Sequence, residues 1–356
     1  MDAMSATRPR PPTITDIARH AGVSTATVSY VLNDTPGARI PEATRRRVSE
    51  AAEEMGYVPH ASARSLRTGR SDLVVYAMPA VTLGPLAARF LAGLADELRD
   101  RGFTLVLHGD GASRGVKAAR RWARLRPAAV ITEGHRLTRA AKDLMRRSGT
   151  VLVASGGKAD PDLPTLVLDH RGMGTVAGRH LTEQGCRDVV AVVPAEPALK
   201  EMGEARAEGV AEAVTGSGAA LRRAEMRETP EDASRIVQEW LRDGLPDGVF
   251  GYNDEHAGLL LSALIDAGVD VPGRLRLVGG DDLPLCGMLR PRLTSVALRA
   301  ECAPAEAAER LVSLIAGADG AEQDLNLWTP ELRIRESSSS SSSQSQSQSS
   351  RSPRPS

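Results

Sequence analysis

The stretch from Thr13 to Asn33, TITDIARHAGVSTATVSYVLN, contains two short amphipathic segments on either side of one glycine. Thr13 and Asp16 have the spacing of a capping box, so we predict that a helix begins at Ile14. Ser24 offers a second N-cap just beyond the glycine. Both segments carry apolar residues at helical spacing, and the turn between them is tight. We therefore predict two helices in this stretch that cross at a steep angle.

A third amphipathic segment completes this unit. Pro41 stands at a position suited to the start of a helix, an apolar stripe follows, and Gly56 ends the pattern. The next residues, from Tyr57 to Ser71, read YVPHASARSLRTGRS and contain three arginines without an acidic residue. Three helices of this kind are typical either of a DNA-binding helix-turn-helix or of a small solvated bundle.

Three blocks of this region resemble the lactose-repressor (LacI/GalR-type) family of bacterial transcription regulators. They are the opening block of residues 13–33, the block TRRRVSEAAEEMGYVP from Thr44, and the ARSL of the segment that follows. The resemblance implies that the second helix enters the major groove and that a hinge helix enters the minor groove of operator DNA. It implies the following DNA-binding residues: Thr13, Ser24, Thr25, Ala26, Thr27, Ser29, Tyr30, Asn33, Thr44, Tyr57, Ala63 and Leu66.

Charge is distributed as this interpretation requires. The chain of 356 residues has a net charge of zero, yet residues 1–70 carry ten arginines against seven acidic residues. The N-terminus has no apolar leader, and no stretch approaches a membrane span, so we expect a cytoplasmic protein without a membrane partner. Three well-separated cysteines, Cys186, Cys286 and Cys302, indicate reduced thiols rather than disulfides or a zinc site.

Beyond Arg70 apolar runs alternate with helical stretches, which predicts βαβ units and parallel sheets. Two doubly wound lobes fit this series better than one large sheet, and the resemblance implies a periplasmic-binding-protein-like effector domain. We therefore predict an all-α helix-turn-helix domain followed by an α/β domain of two parallel-sheet lobes. The predicted boundaries are a disordered arm at 1–12, the helix-turn-helix at 13–58, a hinge at 59–70, the effector domain at 71–336 and a disordered Ser/Gln-rich tail at 337–356. Lobe 1 is predicted at 71–164 and 294–326, and lobe 2 at 165–293 and 327–336.

Two short motifs suggest enzymes. The run from Gly172 to Ala177 matches the dinucleotide pattern G-x-G-x-x-A, but it stands two residues beyond its strand, so close helix packing explains the glycines better. The run from Gly111 to Gly115 matches the hydrolase pattern G-x-S-x-G, yet a loop precedes Ser113, where a nucleophile elbow requires a strand. We therefore expect no enzyme and no cofactor or metal.

Polar groups follow several strands of the second lobe, where ligands bind in open α/β sheets. The resemblance implies effector contacts for Arg206 of R-x-x-G, Asn253 of N-D and Asp281 of D-D. Further candidate lining residues are Tyr76, Phe90, Glu133, His135 and Tyr252. Only 3% of the residues are aromatic, so few rings are present that could stack against a sugar. The sequence therefore predicts a small-molecule effector without identifying it as a sugar or a sugar derivative.

These features predict a homodimeric regulator, with repression as the outcome usual in the family, that binds a palindromic operator and responds to a small molecule. Two alternatives stay open at this stage. One is a cytosolic small-molecule-binding protein without operator binding, and the other is an α/β hydrolase.

Overall fold

The computed structural model describes residues 10–32, 37–57, 71–79, 84–109, 113–299, 303–318, 325–326 and 328–339. The chain divides into two compact units, Met1–Ser71 and Asp72–Ser356. The hinge residues Ala63 and Leu66, the recognition residue Asn33 and the thiol of Cys302 lie outside the described residues.

In the described part of the first unit the helices are α1 (Ile14–Ala21), α2 (Thr25–Leu32) and α3 (Glu42–Glu54). The capping box predicted for α1 is confirmed, because Thr13 Oγ1 accepts from Asp16 N and an Asp16 carboxylate oxygen accepts from Thr13 N at 2.9 Å. Ser24 caps α2 as predicted, and its Oγ accepts from Thr27 N at 3.1 Å. The stripes of the three helices meet in one core in which Ile17, Val28 and Val48 are fully buried.

The described residues of the second unit form two six-stranded sheets. The first sheet, of lobe 1, has the order β11-β5-β4-β3-β1-β2 and is parallel throughout. Its strands are β1 (Leu73–Ala77), β2 (Thr104–His108), β3 (Ala129–Glu133), β4 (Val151–Gly156), β5 (Thr165–Val167) and β11 (Leu325–Asn326). The helices of lobe 1 are α4 (Pro85–Asp100), α5 (Gly115–Arg124), α6 (Arg139–Arg147) and α12 (Ala303–Ile315), with a 3₁₀ turn at Gly134–Arg136.

The second sheet, of lobe 2, has the order β12-β10-β9-β8-β6-β7, and its only antiparallel neighbours are β12 and β10. Its strands are β6 (Asp188–Pro194), β7 (Ala220–Met226), β8 (Gly248–Phe250), β9 (Arg276–Gly280), β10 (Thr294–Arg299) and β12 (Thr329–Arg333). The helices of lobe 2 are α7 (His170–Glu183), α8 (Lys200–Thr215), α9 (Pro230–Asp243), α10 (Asp254–Asp266) and the short α11 (Leu285–Met288).

The lobe boundaries predicted from the sequence are wrong at two strands. β5 pairs with β4, with Thr165 opposite Ala154, so it belongs to lobe 1 rather than lobe 2. β10 pairs with β9, with Thr294 opposite Val278, so it belongs to lobe 2 rather than lobe 1. In both places the chain completes a strand of its current sheet before it crosses to the other lobe. The hydrophobic pattern of a strand does not reveal which sheet it joins.

The predicted start of the tail is also wrong. Ser337 and Ser338 are fully buried, and Ser339 is nearly so. Ser337 Oγ donates to the carbonyl of Leu277 at 2.7 Å, and Thr294 N donates to Ser337 Oγ at 2.8 Å. Composition predicts disorder for a serine run, but hydrogen bonds within lobe 2 offset the cost of burying these polar hydroxyls. Residues 340–356 lie outside the described residues.

Candidate nucleic-acid interface and effector site

The face of α2 that points away from the core carries small and polar side chains. Thr25 and Ala26 are exposed, and Tyr30 is 47% exposed although it is a large aromatic residue. Val28 and Val31 of the same helix are buried and hold it against α1 and α3. Thr25, Ala26 and Tyr30 of the predicted recognition face are therefore exposed on a helix whose opposite side packs in the core.

Three further residues of the predicted DNA interface, Thr13, Ser24 and Thr27, have local partners. The hydroxyls of Ser24 and Thr27 lie 2.9 Å apart, and Ser24 is exposed while Thr27 is partly so. Thr13 is half-buried and donates to the Asp16 carboxylate at 2.6 Å, and this bond together with the Thr13 backbone lowers the pKa of Asp16 to about 2. Ser29, Thr44 and Tyr57 are each partly exposed.

A buried arginine organises the carboxyl edge of the lobe 2 sheet. Arg206 on α8 is only 4% exposed, and its guanidinium group donates from Nη1 to the carbonyl of Tyr252 at 2.6 Å and from Nη2 to Asp281 Oδ1 at 2.9 Å. Its Nε donates to Nδ1 of His170 at 3.3 Å, and the guanidinium lies 4.7 Å from the centre of the Tyr252 ring. Burial, followed by the nearby arginine charge, lowers the pKa of His170 to about 3, so this imidazole is a neutral acceptor.

Two loops meet at this arginine in left-handed backbone conformations. Tyr252, which follows β8, has φ +66°, and Asp281, directly after β9, has φ +92°. Such conformations are costly for residues other than glycine and persist only where surrounding contacts enforce them. The structure thus brings Arg206 and Asp281 into a direct ion pair whose carboxylate remains 19% exposed.

Asn253 lies in the same loop as Tyr252, but its side chain caps α10. Asn253 Oδ1 accepts from His256 N at 2.8 Å and lies 2.7 Å from His256 Nδ1. The neighbouring Asp254 is fully buried, accepts from Leu283 N at 2.7 Å, and bonds to Ser295 Oγ at 2.6 Å. Burial raises the pKa of Asp254 to about 7. Sequence reasoning gave no role to Asp254 or His170, although Asp254 stands beside a predicted effector residue in the chain.

Several carboxylates lie near the carboxyl edge of the lobe 2 sheet. Burial raises the pKa of Glu228, and the neighbouring Glu196 raises it further. Burial also raises the pKa of Glu255, with smaller contributions from Glu228 and Asp281. An anionic ligand would be repelled here, whereas hydroxyl or amine donors would find acceptors.

In lobe 1 the predicted lining residues separate into two groups. Phe90 packs edge-to-face on Trp328, with 5.1 Å between ring centres, so it belongs to the core. Tyr76, Glu133 and His135 follow the carboxyl edge; burial, together with the nearby Glu133, raises the pKa of Tyr76 to about 12. His135 Nε2 lies 3.9 Å from Glu133 Oε2.

Sequence reasoning missed Arg136, a buried residue whose side chain binds main-chain carbonyls at the carboxyl edge of the lobe 1 sheet. Its side chain is 1% exposed and donates to the carbonyls of Ala77 at 3.1 Å, Met78 at 2.9 Å and Ser113 at 3.2 Å. It also lies over the ring of Trp122 at 5.4 Å.

Neither enzyme motif forms an active site. Gly174 lies inside α7, where an added Cβ would stand 1.8 Å from the carbonyl oxygen of Arg206, so the predicted close helix packing is confirmed. The hydroxyl of Ser113 accepts from the Arg121 guanidinium at 2.8 Å, and a guanidinium cannot act as the general base of a hydrolase.

Metal clusters and membrane-spanning helices do not occur within the described ranges. These residues contain no group of three or more histidine, cysteine or acidic side chains placed to hold a metal ion. In the same ranges no helix is both long and apolar enough to cross a membrane. The two described cysteines, Cys186 and Cys286, are buried free thiols.

Comparison with known proteins assigns both units. The model of bacterial regulatory proteins of the lacI family matches residues 13–60, and the model of a periplasmic binding protein-like domain matches residues 178–338. A curated relative, the HTH-type transcriptional regulator GntR of Pseudomonas aeruginosa, is 30% identical over 337 residues, which are 92% of this chain and 96% of the relative.

Solved structures show the same architecture. A complex of the transcriptional regulator CelR with cellobiose matches with a TM-score of 0.63 at 25% identity, and covers 92% of this chain and 99% of its own. The fold is also that of the Lac repressor dimer bound to operator and the anti-inducer ONPF, with a TM-score of 0.76 at 20% identity and coverage of 92% and 99%.

A helix-turn-helix unit followed by a two-lobed binding domain defines a DNA-binding transcriptional regulator, a class of proteins that are not enzymes. The chain belongs to the LacI family of bacterial regulatory proteins.

Proposed function

We propose that this protein is a sequence-specific repressor that binds a palindromic operator as a homodimer and is modulated by a small molecule in the cleft between its lobes. The observation that carries the proposal is the outward face of α2. Thr25, Ala26 and Tyr30 stand exposed on a helix whose other face is locked into a core. Short polar and methyl-bearing side chains on such a face can bond base edges and contact thymine methyl groups in a major groove.

The homodimer is inferred from the small size of the recognition helix α2. One helix of eight residues contacts too few base pairs for tight specific binding, so two copies must read two half-sites. The second unit has large exposed apolar side chains that suit a subunit interface, including Leu107 at 47%, Ile265 at 47% and Met288 at 75% exposure. The Lac repressor neighbour is described as a dimer bound to operator.

In the proposed complex the hinge of residues 59–70 enters the minor groove, with Ala63 packing there and Leu66 opening a base step. This part of the proposal rests on the resemblance of the ARSL segment alone, because the hinge lies outside the described residues.

The effector is proposed to bind above the carboxyl edge of lobe 2. Arg206 is already engaged by Tyr252 and Asp281, so its part is to hold the two loops. The exposed part of the Asp281 carboxylate faces the ligand, and Asn253 offers its amide nitrogen, since its amide oxygen caps α10. A ligand rich in hydrogen-bond donors, such as a sugar or a sugar derivative, fits the surrounding carboxylates. The CelR neighbour is described as a cellobiose complex.

The test is selection of bound duplexes from a random DNA pool by the full-length protein, followed by salt titration of the winner and of a scrambled duplex. We expect a palindrome to be enriched and to be bound at least about 1,000-fold more tightly than the scrambled duplex. The variant Tyr30→Ala should reduce this ratio, whereas Arg242→Gln, at an exposed residue of α9 that is paired with Asp243, should leave it unchanged. A pool in which no sequence is enriched, with binding that merely fades as salt rises, would refute the proposal.

A further inference from the structure

Helix α5 in lobe 1 carries an unusual concentration of positive charge. Its ten residues, GVKAARRWAR, include four basic residues and no acidic one. Lys117, Arg120 and Arg124 lie along this helix at least partly exposed, and Arg114 stands at its N-cap. Across the described residues, none of these four side chains has a hydrogen-bond or ion-pair partner.

Several arginines on other surface helices are paired locally. Arg99 bonds to Asp96 at 2.7 Å on α4, and Arg235 bonds to Glu239 at 2.8 Å on α9. Arg171 on α7 is held by Glu212 of α8. By contrast, residues 113–132 contain six basic residues and no aspartate or glutamate. Among the described residues, the charges of Lys117, Arg120, Arg124 and Arg114 are therefore unpaired, within a unit whose net charge is negative.

The basic face is fixed in direction. On the opposite side of α5, Ala118, Ala119 and Trp122 are completely buried, and the buried Arg136 lies over the Trp122 ring. Lys117, Arg120 and Arg124 follow at i, i+3 and i+7, which places them on one side of the helix along about 10 Å. Duplex DNA presents one phosphate charge per about 1.7 Å, so such a row can contact several phosphates at once.

We propose that the row Lys117, Arg120 and Arg124, together with Arg114, is a second DNA-contacting surface that binds the phosphate backbone without regard to sequence. Guanidinium groups are the side chains best suited to phosphate, and three of these four residues are arginines. This inference rests on the proposed function, because operator DNA held by the first unit supplies a polyanion at high effective concentration to the second unit of the same chain. The surface would add salt-sensitive affinity for the DNA that flanks the operator.

The test compares two triple variants of the full-length protein. Lys117→Gln/Arg120→Gln/Arg124→Gln removes three charges from the unpaired row. The control, Arg171→Gln/Arg235→Gln/Arg242→Gln, removes three exposed arginine charges that are paired with acidic residues. Each protein is titrated with salt on two duplexes, the selected operator alone and the same operator with several helical turns of random flanking DNA on both sides.

The α5 variant should match the wild type on the short operator and bind the flanked duplex more weakly than the wild type does. On the flanked duplex, the magnitude of its negative slope of log K against log salt should decrease by up to about 0.9 for each phosphate that the variant no longer neutralises. The control should keep the wild-type slope on both duplexes. A wild-type slope for the α5 variant on flanked DNA would overturn the inference. The basic row would then be better explained as a binding surface for an acidic protein. Failure of the wild type to prefer the selected operator over a scrambled duplex would instead remove the proposed function, and this inference with it.

Discussion

At the scale of single residues, Arg206 and Asp254, two of the buried charged or titratable groups of lobe 2, have separate tasks. Arg206 ties the loop after β8 to the loop after β9 through Tyr252 and Asp281. Asp254 fixes the continuation of the second loop through Leu283 N. Removing one partner from a buried charged network leaves the other unpaired and is costly. The geometry of the proposed effector site therefore depends on side chains that a ligand need not touch.

Asp254 should make stability depend on pH. Its pKa is about 7 in the folded protein, well above the ordinary value of 3.8, so the folded state keeps a proton that the unfolded chain releases. Between pH 4 and 7 the free energy of unfolding should fall on the order of 4 kcal/mol because of this group as the pH rises, and no further above that window. Asp254→Asn cannot ionise and should escape this decrease.

The measurement is urea unfolding of the wild type and Asp254→Asn at several values across this pH range. Burial lowers the pKa of His180 and of His256 to about 4 each, and both have the opposite pH dependence, but they are present in both proteins and cancel in the difference. The difference should move in favour of the variant as the pH rises. A difference that stays constant with pH would show that Asp254 ionises normally.

At the scale of elements, a close helix crossing places Arg206. Gly174 of α7 lies against the backbone of Arg206, and Gly209 of α8 lies against the backbone of Arg171. An added Cβ would stand 1.8 Å from the Arg206 carbonyl oxygen in the first case and 1.9 Å from the Arg171 carbonyl oxygen in the second. Glycine at both positions lets the helices approach until their main chains touch, which brings Arg206 under the two loops.

Gly174→Ala should therefore destabilise the protein strongly, because the obstructing atoms belong to the backbone and cannot rotate away. We expect a decrease of about 3 kcal/mol or more in the free energy of unfolding, measured by urea titration. Gly216→Ala, at the end of α8, is the matched control, since its φ is −80° and nothing lies within 4 Å of the new Cβ. It should be neutral or slightly stabilising. Equal effects of the two changes would contradict the close approach.

Local patterns were predictable from the sequence, and long-range pairings were not. The capping box of Thr13 and Asp16 depends on a spacing of three residues and could be recognised directly. The bond between Arg206 and Asp281 joins residues 75 positions apart, so only a family resemblance could suggest that they meet. Likewise Arg136 looks like an ordinary surface arginine in the sequence, because its acceptors are backbone carbonyls of distant segments.

At the scale of the whole molecule, the order of the strands makes the second unit a two-lobed body in which the chain crosses between lobes three times. It leaves lobe 1 after β5, returns after β10 to form α12 and β11, and enters lobe 2 again for β12. Several connections between two lobes suit a hinged closure around a ligand. After this last crossing and β12, the chain reaches the buried serines, where Ser337 forms hydrogen bonds with β9 and β10 of the lobe 2 sheet.

These serines should be essential to lobe 2, although their composition predicts a tail. Ser337 makes backbone hydrogen bonds with Arg292 and Leu277 at 2.9 Å, and Ser338 Oγ lies 2.7 Å from both Thr294 Oγ1 and His180 Nε2. Truncation after Glu336 removes these bonds, each worth about 1 kcal/mol, and leaves His180 and Thr294 without these partners. We expect a decrease of several kcal/mol in the free energy of unfolding and a lower urea midpoint. Truncation after Ser339 keeps all of these hydrogen bonds and should unfold like the full chain, so equal midpoints for the two truncated proteins would show that the serines do not close the lobe.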